Sequence, residues 1–509
     1  MLLIALLVVP LVTAVVCRLL YRRQHVIEWA NAIGSALTFL VAGIAVVDVA
    51  RSGAQRDPTG LLYVDALSAV MLGTITVVGL AASLVSIGYL RRDLGAGHVL
   101  DGRRGLGWYY FGFHIFIWTM LATVSVDNLG LLWVSVEATT LASALLVGFY
   151  RTRAALEAAW KYIILCTVGI TFALFGVLLT YYAAVQAAGE GGASLDWSAL
   201  SARSGELDPA MMQLAFVFIL IGFGTKAGFA PLHTWLADAH SQAPSPISGV
   251  LSGVLLACAL YAILRFHVIT ADATGSAFSS NLLLAFGVFS IAVAVPFIVV
   301  QRDLKRLLAY SSVEHIGLMA VAFGIGGPLG TAAGLLHLVN HALTKSLLFF
   351  VAGDISQRFG TRRISALRGI VRVAPLAGWL LLFGILAITG LPPFSIFISE
   401  IAIASAGFSG SREALAASVL VIVLLGLIFA GLLAQGLRIV YGSPANRLVP
   451  ATHGSDPGRS WREDALWVAA VVPMVAAVVV FGLYVPGPVT DLFDDVSAVL
   501  QPVSATASR

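Results

Sequence analysis

The sequence predicts an all-α polytopic membrane protein of about fourteen transmembrane helices. Two inverted five-helix repeats are expected within it, with helices seven and twelve broken. Three observations carry that expectation. The 509 residues are 59% hydrophobic and only 11% charged, with a mean hydropathy of +0.94, whereas a soluble domain carries about 25% charged residues. The arginines collect on one side when successive apolar stretches are threaded through a bilayer. The few ionisable groups inside those stretches recur in the same order in two halves of the chain.

About 20 apolar residues cross a bilayer. The first stretch, 1–20, has no basic n-region and no small-residue cleavage site, so it reads as a span and not as a removable signal peptide. It is followed by 28–50, 61–90, 108–126, 128–150, 160–184, an interrupted 210–240, 246–269, 281–300, 308–326, 331–353, an interrupted 376–408, 415–440 and 465–487. The longest polar stretches, 91–107, 186–209, 354–375 and 442–464, are expected to be loops.

With the N-terminus outside, the inner loops hold Arg18, Arg22, Arg23, Arg91, Arg92, Arg103, Arg104, Arg151, Arg153, Arg302, Lys305 and Arg306. They also hold five arginines between 358 and 372, together with Arg438, Arg447, Arg459 and Arg462, for 21 basic residues in all. The outer side holds six: Arg51, Arg56, Arg203, Arg265, Arg412 and Arg509. This bias predicts both termini outside. The three basic residues left over are Lys161, Lys226 and Lys345, and the chain has only four lysines among its 30 basic residues. Arginine stays charged, whereas a buried lysine can shift its pKa by several units. Arginine therefore reads as the topology signal and lysine as the working charge of the interior.

The buried ionisable groups are Glu137, Lys161, Lys226, Glu314 with His315, His337 and His341 with Lys345, and Glu400. Glu137 to Glu314 is 177 residues, Lys161 to Lys345 is 184 and Lys226 to Glu400 is 174. The two interrupted stretches, "GFGTKAGFAPLHTWL" and "LAITGLPPFSIFISE", correspond as well. The offset of five spans is odd, so the halves are expected to sit with opposite orientation. Paired broken helices in inverted repeats point to an ion path near the midplane. The expected division is an N-terminal three-helix segment 1–107, a first repeat 108–270, a second repeat 271–442, and a C-terminal loop, helix and tail 443–509.

His337, His341 and Lys345 lie at i, i+4 and i+8, on one helix face, with Glu314 and His315 on the neighbouring span. Such a row suits proton hopping between groups of graded affinity. Simpler readings stand beside it. Glu137 and Lys226 also fit a static buried ion pair, Lys161 is near enough to an inner loop to snorkel, and His114 and His267 read as core histidines. His233, Asp238 and His240 lie close in sequence but lack tight metal-ligand spacing, so no metal is expected. Cys17, Cys166 and Cys258 form no CxxC pair, and no GxGxxG or P-loop stands in a strand–helix context. Neither cluster nor nucleotide cofactors are therefore expected on this chain. A net charge of +4, with its arginines scattered over loops, gives no reason to expect nucleic acid.

Five motifs carry a family resemblance: "LLWVSVEATTLASALLVGFY", "GTKAGFAPLHTWLADAHSQAPSP", "LKRLLAYSSVEHIG", "HLVNHALTKSLLFF" and "GLPPFSIFISE". Through them the chain, from about 60 to 440, resembles the antiporter-like membrane subunits of NADH:quinone oxidoreductase, of energy-converting hydrogenases and of multisubunit Na⁺/H⁺ antiporters. The details "VEATT", "SSVEH" and "LTKS" look most like component F of hydrogenase-4 and formate-hydrogenlyase-type complexes. The resemblance implies fourteen helices with inverted five-helix repeats and a coupled pair at Glu137 and Lys226. It also implies a central row at His337, His341 and Lys345, and an outer-side exit at Glu400. Complex I members usually carry a lysine or histidine in the eighth helix; here that stretch offers Ala257 and Cys258, so water or His337 is expected to bridge it.

The implied function is proton translocation within a redox-driven respiratory complex of a bacterial plasma membrane. Iron–sulfur clusters and [NiFe] or other redox centres are expected on partner subunits, reached through neighbouring membrane subunits, and no catalytic chemistry is expected on this chain alone. The alternatives are an Mrp-like Na⁺/H⁺ antiporter subunit, a coupling subunit of an inorganic-carbon uptake complex, and a structural scaffold. The short stretch after the last span implies that the long lateral helix of the terminal complex I subunit is missing. The tail from 490 is expected to pack on a neighbour or to stay disordered.

Overall fold

The computed structural model describes residues 1–189, 192–443 and 461–501. Of the arginines counted above, Arg447, Arg459 and Arg509 lie outside the described residues, as does the tail from 502. The chain is helical almost throughout. The first half contains α1 (Leu2–Leu19), α2 (Gln24–Ser52), α3 (Ala66–Gly95), α4 (Arg103–Thr123), α5 (Leu129–Val147), α6 (Arg153–Ala188), the short α7 (Trp197–Ala202), α8 (Pro209–Ala227) and α9 (Thr234–Gln242). Next come α10 (Ser245–Val250) and α11 (Leu256–Thr274), which a π-helical turn, Leu251–Leu255, joins into one rod. The second half contains α12 (Ser276–Val300), α13 (Leu304–Ile325), α14 (Gly327–Phe359), the short α15 (Ile370–Val373), α16 (Pro375–Ile388), α17 (Ser395–Phe408), α18 (Arg412–Tyr441), α19 (Trp461–Leu483) and α20 (Gly487–Leu500). A two-stranded hairpin of β1 (Gln55–Arg56) and β2 (Tyr63–Val64) caps the α2–α3 connection.

Among the described residues, twelve helices are long and apolar enough to cross a membrane. α4 and the pair α16–α17 occupy the other two stretches expected from sequence, the latter as two helices of 14 residues each. Burial sorts the helices into an inner and an outer set. The apolar window of the α10–α11 rod is 100% buried and those of α13 and α14 are 94% buried. The windows of α1, α2, α6, α12, α18 and α19 are only 28–39% buried, so these helices turn large aliphatic faces outward. The ring is drawn together by small residues. A methyl placed on Gly317 of α13, for example, would stand 2.7 Å from the Gly287 carbonyl oxygen of α12.

Both interruptions close in the same way. α8 ends at a left-handed Gly228 (φ 85°), and the Phe229 N–H returns to the Gly224 carbonyl at 2.9 Å. α16 ends just before a left-handed Gly390 (φ 67°), and the Leu391 N–H returns to the Leu386 carbonyl at 3.2 Å. Glycine suits this Schellman-type closure because it takes positive φ without steric cost. The groups released at the first break find partners inside protein, as membrane burial demands. The Ala230 N–H donates to Ser290 Oγ (3.0 Å) and Trp235 Nε1–H donates to the Thr225 carbonyl (2.9 Å).

Two basic residues assigned to loops are buried instead. Lys305 enters the first turn of α13 and donates to the Ala243 carbonyl at 2.6 Å. Arg265 sits within α11 and grips Asp65, at the start of α3, through two bonds of 2.6 and 2.7 Å. Its guanidinium also donates to Tyr261 Oη (2.9 Å) and Ser68 Oγ (3.0 Å) and stacks over Trp197 (4.2 Å). Hydropathy alone places an arginine near a helix end in water; a carboxylate 200 positions earlier supplied the partner that let it go inside. The tail also differs from expectation, since α20 folds back on α3 and α14 and buries Leu492, Phe493 and Val496. Removing one partner of a buried ion pair strands the other charge, at about 3–5 kcal/mol. Arg265→Leu is therefore expected to lower the thermal midpoint of the detergent-solubilised protein sharply, with the Asp65→Leu/Arg265→Leu double variant recovering part of the loss. An unchanged midpoint in the single variant would contradict the locking role.

Candidate functional site

Lys226 lies in the last turn of α8 and is fully buried. Its ammonium donates to Thr140 Oγ1 of α5 at 2.9 Å and, by a short bond, to Tyr162 Oη of α6. Tyr162 in turn shares a 2.7 Å hydrogen bond with Ser143 Oγ and packs against Trp235 with ring centroids 4.6 Å apart. Glu137 and Lys226, expected as a coupled pair, are not in direct contact. Thr140 stands between them, donating to Glu137 Oε2 at 3.2 Å while accepting from Lys226. Glu137 also accepts from Thr167 Oγ1 at 2.9 Å and faces the half-exposed side of α5 and α6. One turn of helix separates Glu137 from Thr140, so the hydroxyl reaches the carboxylate from the lysine's side.

Lys345, in the middle of α14, is held in the same manner. It donates to the Leu308 carbonyl (2.9 Å) and, by a short bond, to Ser311 Oγ, both on α13. Among the described residues neither Lys226 nor Lys345 is within ion-pairing distance of a carboxylate. Glu314 is an electrostatic neighbour of both Lys345 and Glu400.

The histidines line up as their spacing suggests. His315 Nδ1 is 3.0 Å from His337 Nε2, and His337 Nδ1 is 2.9 Å from Ser399 Oγ on α17. The His341 ring is 5.2 Å from that of His315. Both nitrogens of His341, together with His315 Nε2 and Glu314 Oε2, are buried with no protein partner. Ser399 directly precedes Glu400, whose carboxylate lies against Gly390, where an added methyl would overlap it. The two breaks are therefore not used identically: Lys226 stands before its glycine and Glu400 after.

Between the two lysines runs the α10–α11 rod. Cys258 and Cys166 are electrostatic neighbours of Lys226. In the π-turn, Ser252 Oγ is 2.7 Å from Ser312 Oγ, the residue next to Ser311. π-Turns are frequent at functional positions because they displace one residue out of helical register. Here the turn brings Gly253 against the Ala342 carbonyl of α14.

The residues held as possible members divide. Lys161 is half-exposed and bridges Glu157 (2.6 Å) and Asp238 (3.4 Å), with Asp238 also accepting from Arg306 at 2.6 Å. That network ties α6, α9 and α13 together away from the histidine row. His233 stands edge-on to the stacked Phe297–Tyr310 pair. His240 is buried, bonds the Leu236 carbonyl through Nδ1 (2.8 Å) and has Lys305 and Lys345 as electrostatic neighbours. His233, Asp238 and His240 thus diverge toward three different sets of partners. His114 hydrogen-bonds Asn31 at 3.1 Å, and His267 packs near Phe216.

Thr140, Tyr162, Ser143, Ser252, Ser311, Ser312 and Ser399 escaped the sequence reading. Hydroxyls are common in membrane helices and carry no charge to mark them. The one available signal was position: Thr140 lies one turn from Glu137, and Ser399 adjoins Glu400.

The transmembrane family described as NADH:quinone oxidoreductase/Mrp antiporter matches residues 126–426. A hydrogenase-4 component F homolog from Methylacidiphilum infernorum is 38% identical over 93% of this chain and 94% of its own length. The fold is also that of a component of the archaeal membrane-bound sulfane sulfur reductase, with a TM-score of 0.83 at 24% identity over 99% of both chains. A chain of the Mrp complex from Dietzia sp. DQ12-45-1b gives 0.82 at 21% identity, over 100% of this chain and 98% of that one. With its two buried lysines and the histidine row inside the matched segment, the chain belongs to the NADH:quinone oxidoreductase/Mrp antiporter family of membrane proteins.

Proposed function

We propose that the chain is the proton-translocating membrane subunit of a redox-driven complex of the hydrogenase-4 type. The observation that carries the proposal is the holding of Lys226 and Lys345 by hydroxyls and a carbonyl, with no carboxylate in ion-pairing reach. A lysine held this way exchanges its proton without breaking an ion pair. The 38% identity to a hydrogenase-4 component F homolog supports the type of complex.

The path runs from Glu137 through Thr140 to Lys226, across Cys258 and the Ser252–Ser312 contact to Lys345. It continues by Glu314, His315, His341 and His337 to Ser399 and Glu400. The orphaned polar atoms of His341, His315 and Glu314 support hydration along the second half, since buried polar groups need partners. Lengthening of the Glu137–Thr140–Lys226 chain by a neighbouring membrane subunit would withdraw the carboxylate that favours the ammonium and so release the proton from Lys226. Redox centres would belong to partner subunits. The matching glycine closures support fourteen spans in two inverted repeats, 108–270 and 271–442, with the arginine-rich side inward. A second reading, Na⁺/H⁺ exchange, has the Mrp membership of the family in its favour.

Lys226→Met in the assembled complex is expected to lower redox-driven proton uptake by inverted vesicles about 10²-fold, the scale of a lost proton-transfer group. Wild-type uptake would sink the path, and acceleration by a sodium gradient alone would favour the second reading. Thr140→Val is expected to slow uptake about tenfold, because it removes a charge-assisted hydrogen bond of roughly 1.5–3 kcal/mol. Combined with Glu137→Gln it should add little further, since both act through one bridge. Additive losses would show that the hydroxyl does not mediate between the two charges.

A further inference from the structure

On the arginine-rich side of the bundle, α4, α5 and α6 part to leave a cavity of about 620 Å³ that the proton path does not use. Its walls are apolar: Trp108 and Phe111 of α4, Leu145 and Phe149 at the end of α5, and Leu156 and Trp160 of α6. Trp108 and Trp160 are themselves substantially exposed, as interfacial tryptophans are at the level of lipid headgroups. Arg151 lines the mouth. Arg18 stacks over the Trp108 ring at 4.3 Å, and Arg103, Arg104 and Arg153 stand within two residues of lining positions.

The mouth has an unusual backbone. Arg151 (φ 51°) and Asp101 (φ 61°) are, among the described residues, the two non-glycine residues with positive φ. L-residues adopt that region sparsely, and such outliers gather at ligand clamps. The two form an ion pair of 3.1 Å, yet both side chains remain more than half exposed, at 56% and 51%. An exposed pair of this kind contributes little, so the guanidinium is available to a stronger anion. Its planar fork matches a phosphate.

We propose that this groove binds one phospholipid with an anionic headgroup, an acyl chain between α4, α5 and α6 and its phosphate on Arg151. The volume falls within the range of small-molecule pockets, about 300–1,000 Å³. The surplus of arginine over Asp101 and Glu157, the latter already paired with Lys161, selects an anionic headgroup over a zwitterionic one. Ala144 and Ile163, which line the groove, directly follow Ser143 and Tyr162 in sequence, and Tyr162 is one of the two hydroxyls that accept from Lys226. Lipid occupancy of the groove does not depend on whether the chain carries protons.

The test uses the complete complex in phosphatidylcholine vesicles containing a minor fraction of phosphatidylglycerol brominated on its acyl chains, which quench adjacent tryptophans. Trp108→Phe and Trp160→Phe identify the relevant emission. Half-maximal quenching of these two residues is expected at about tenfold less brominated phosphatidylglycerol than brominated phosphatidylcholine. Arg151→Gln should erase that preference, and Ala159→Phe, which fills the groove, should abolish quenching by either lipid. Arg151→Gly provides the folding control, since glycine accepts the left-handed backbone while removing the guanidinium; it too should lose the preference. Equal quenching by both lipids, unchanged in the Arg151 variants, would reduce the groove to ordinary lipid contact and overturn the proposal. So would a disulfide cross-link from a Trp160→Cys variant to a neighbouring subunit without lipid quenching.

Discussion

Everything in this bundle depends on how an ammonium group is kept in a hydrocarbon layer without a counter-ion. A fully paired lysine would be stable but inert, and an unsolvated one would force the helix out of the membrane or lose its charge for good. Lys226 takes the course between these: two hydroxyls, Thr140 and Tyr162, satisfy its donors while Glu137 stays one hydroxyl away. Lys345 repeats the arrangement with Ser311 and the Leu308 carbonyl. The outer helices, with their exposed aliphatic surfaces, enclose these two centres. The most enclosed helices, the α10–α11 rod with α13 and α14, carry the contacts between the centres.

The helix breaks serve the same end. Ending α8 at Gly228 puts Lys226 in a last turn whose Thr225 carbonyl accepts from Trp235 Nε1–H. Ending α16 at Gly390 opens room for the Glu400 carboxylate, which any side chain there would displace. The same local device thus serves a cation on one side of its break and an anion on the other. The Asp65–Arg265 clamp anchors the α11 end of the central rod to α3, outside the matched pair of breaks.

The charged skeleton of the site was legible because charge inside a hydrophobic run is conspicuous. The histidine row could be placed from its spacing alone, since i, i+4 and i+8 share a face whatever the tertiary structure. Arg265 and Lys305 were misplaced for the complementary reason: hydropathy treats a charge near a helix end as solvated, and their partners, Asp65 and the Ala243 carbonyl, are distant in sequence. The relation of Glu137 to Lys226 was legible only as the coupling of two opposite charges. Threonine, neutral and abundant, gave no sign of standing between them.

By itself the sequence determined the membrane-spanning helical class, the positions of the two breaks and the short list of buried ionisable groups. These are properties of composition and local periodicity, set by the thickness of the bilayer and by backbone conformations that glycine alone adopts freely. Only the tertiary structure decided which hydroxyls hold each lysine, that Ser252 of the eighth span meets Ser312 of α13, and that Arg265 is locked to Asp65. Those choices rest on contacts between residues 34 to 200 positions apart. Such contacts come into being when helices pack, and no local pattern encodes them.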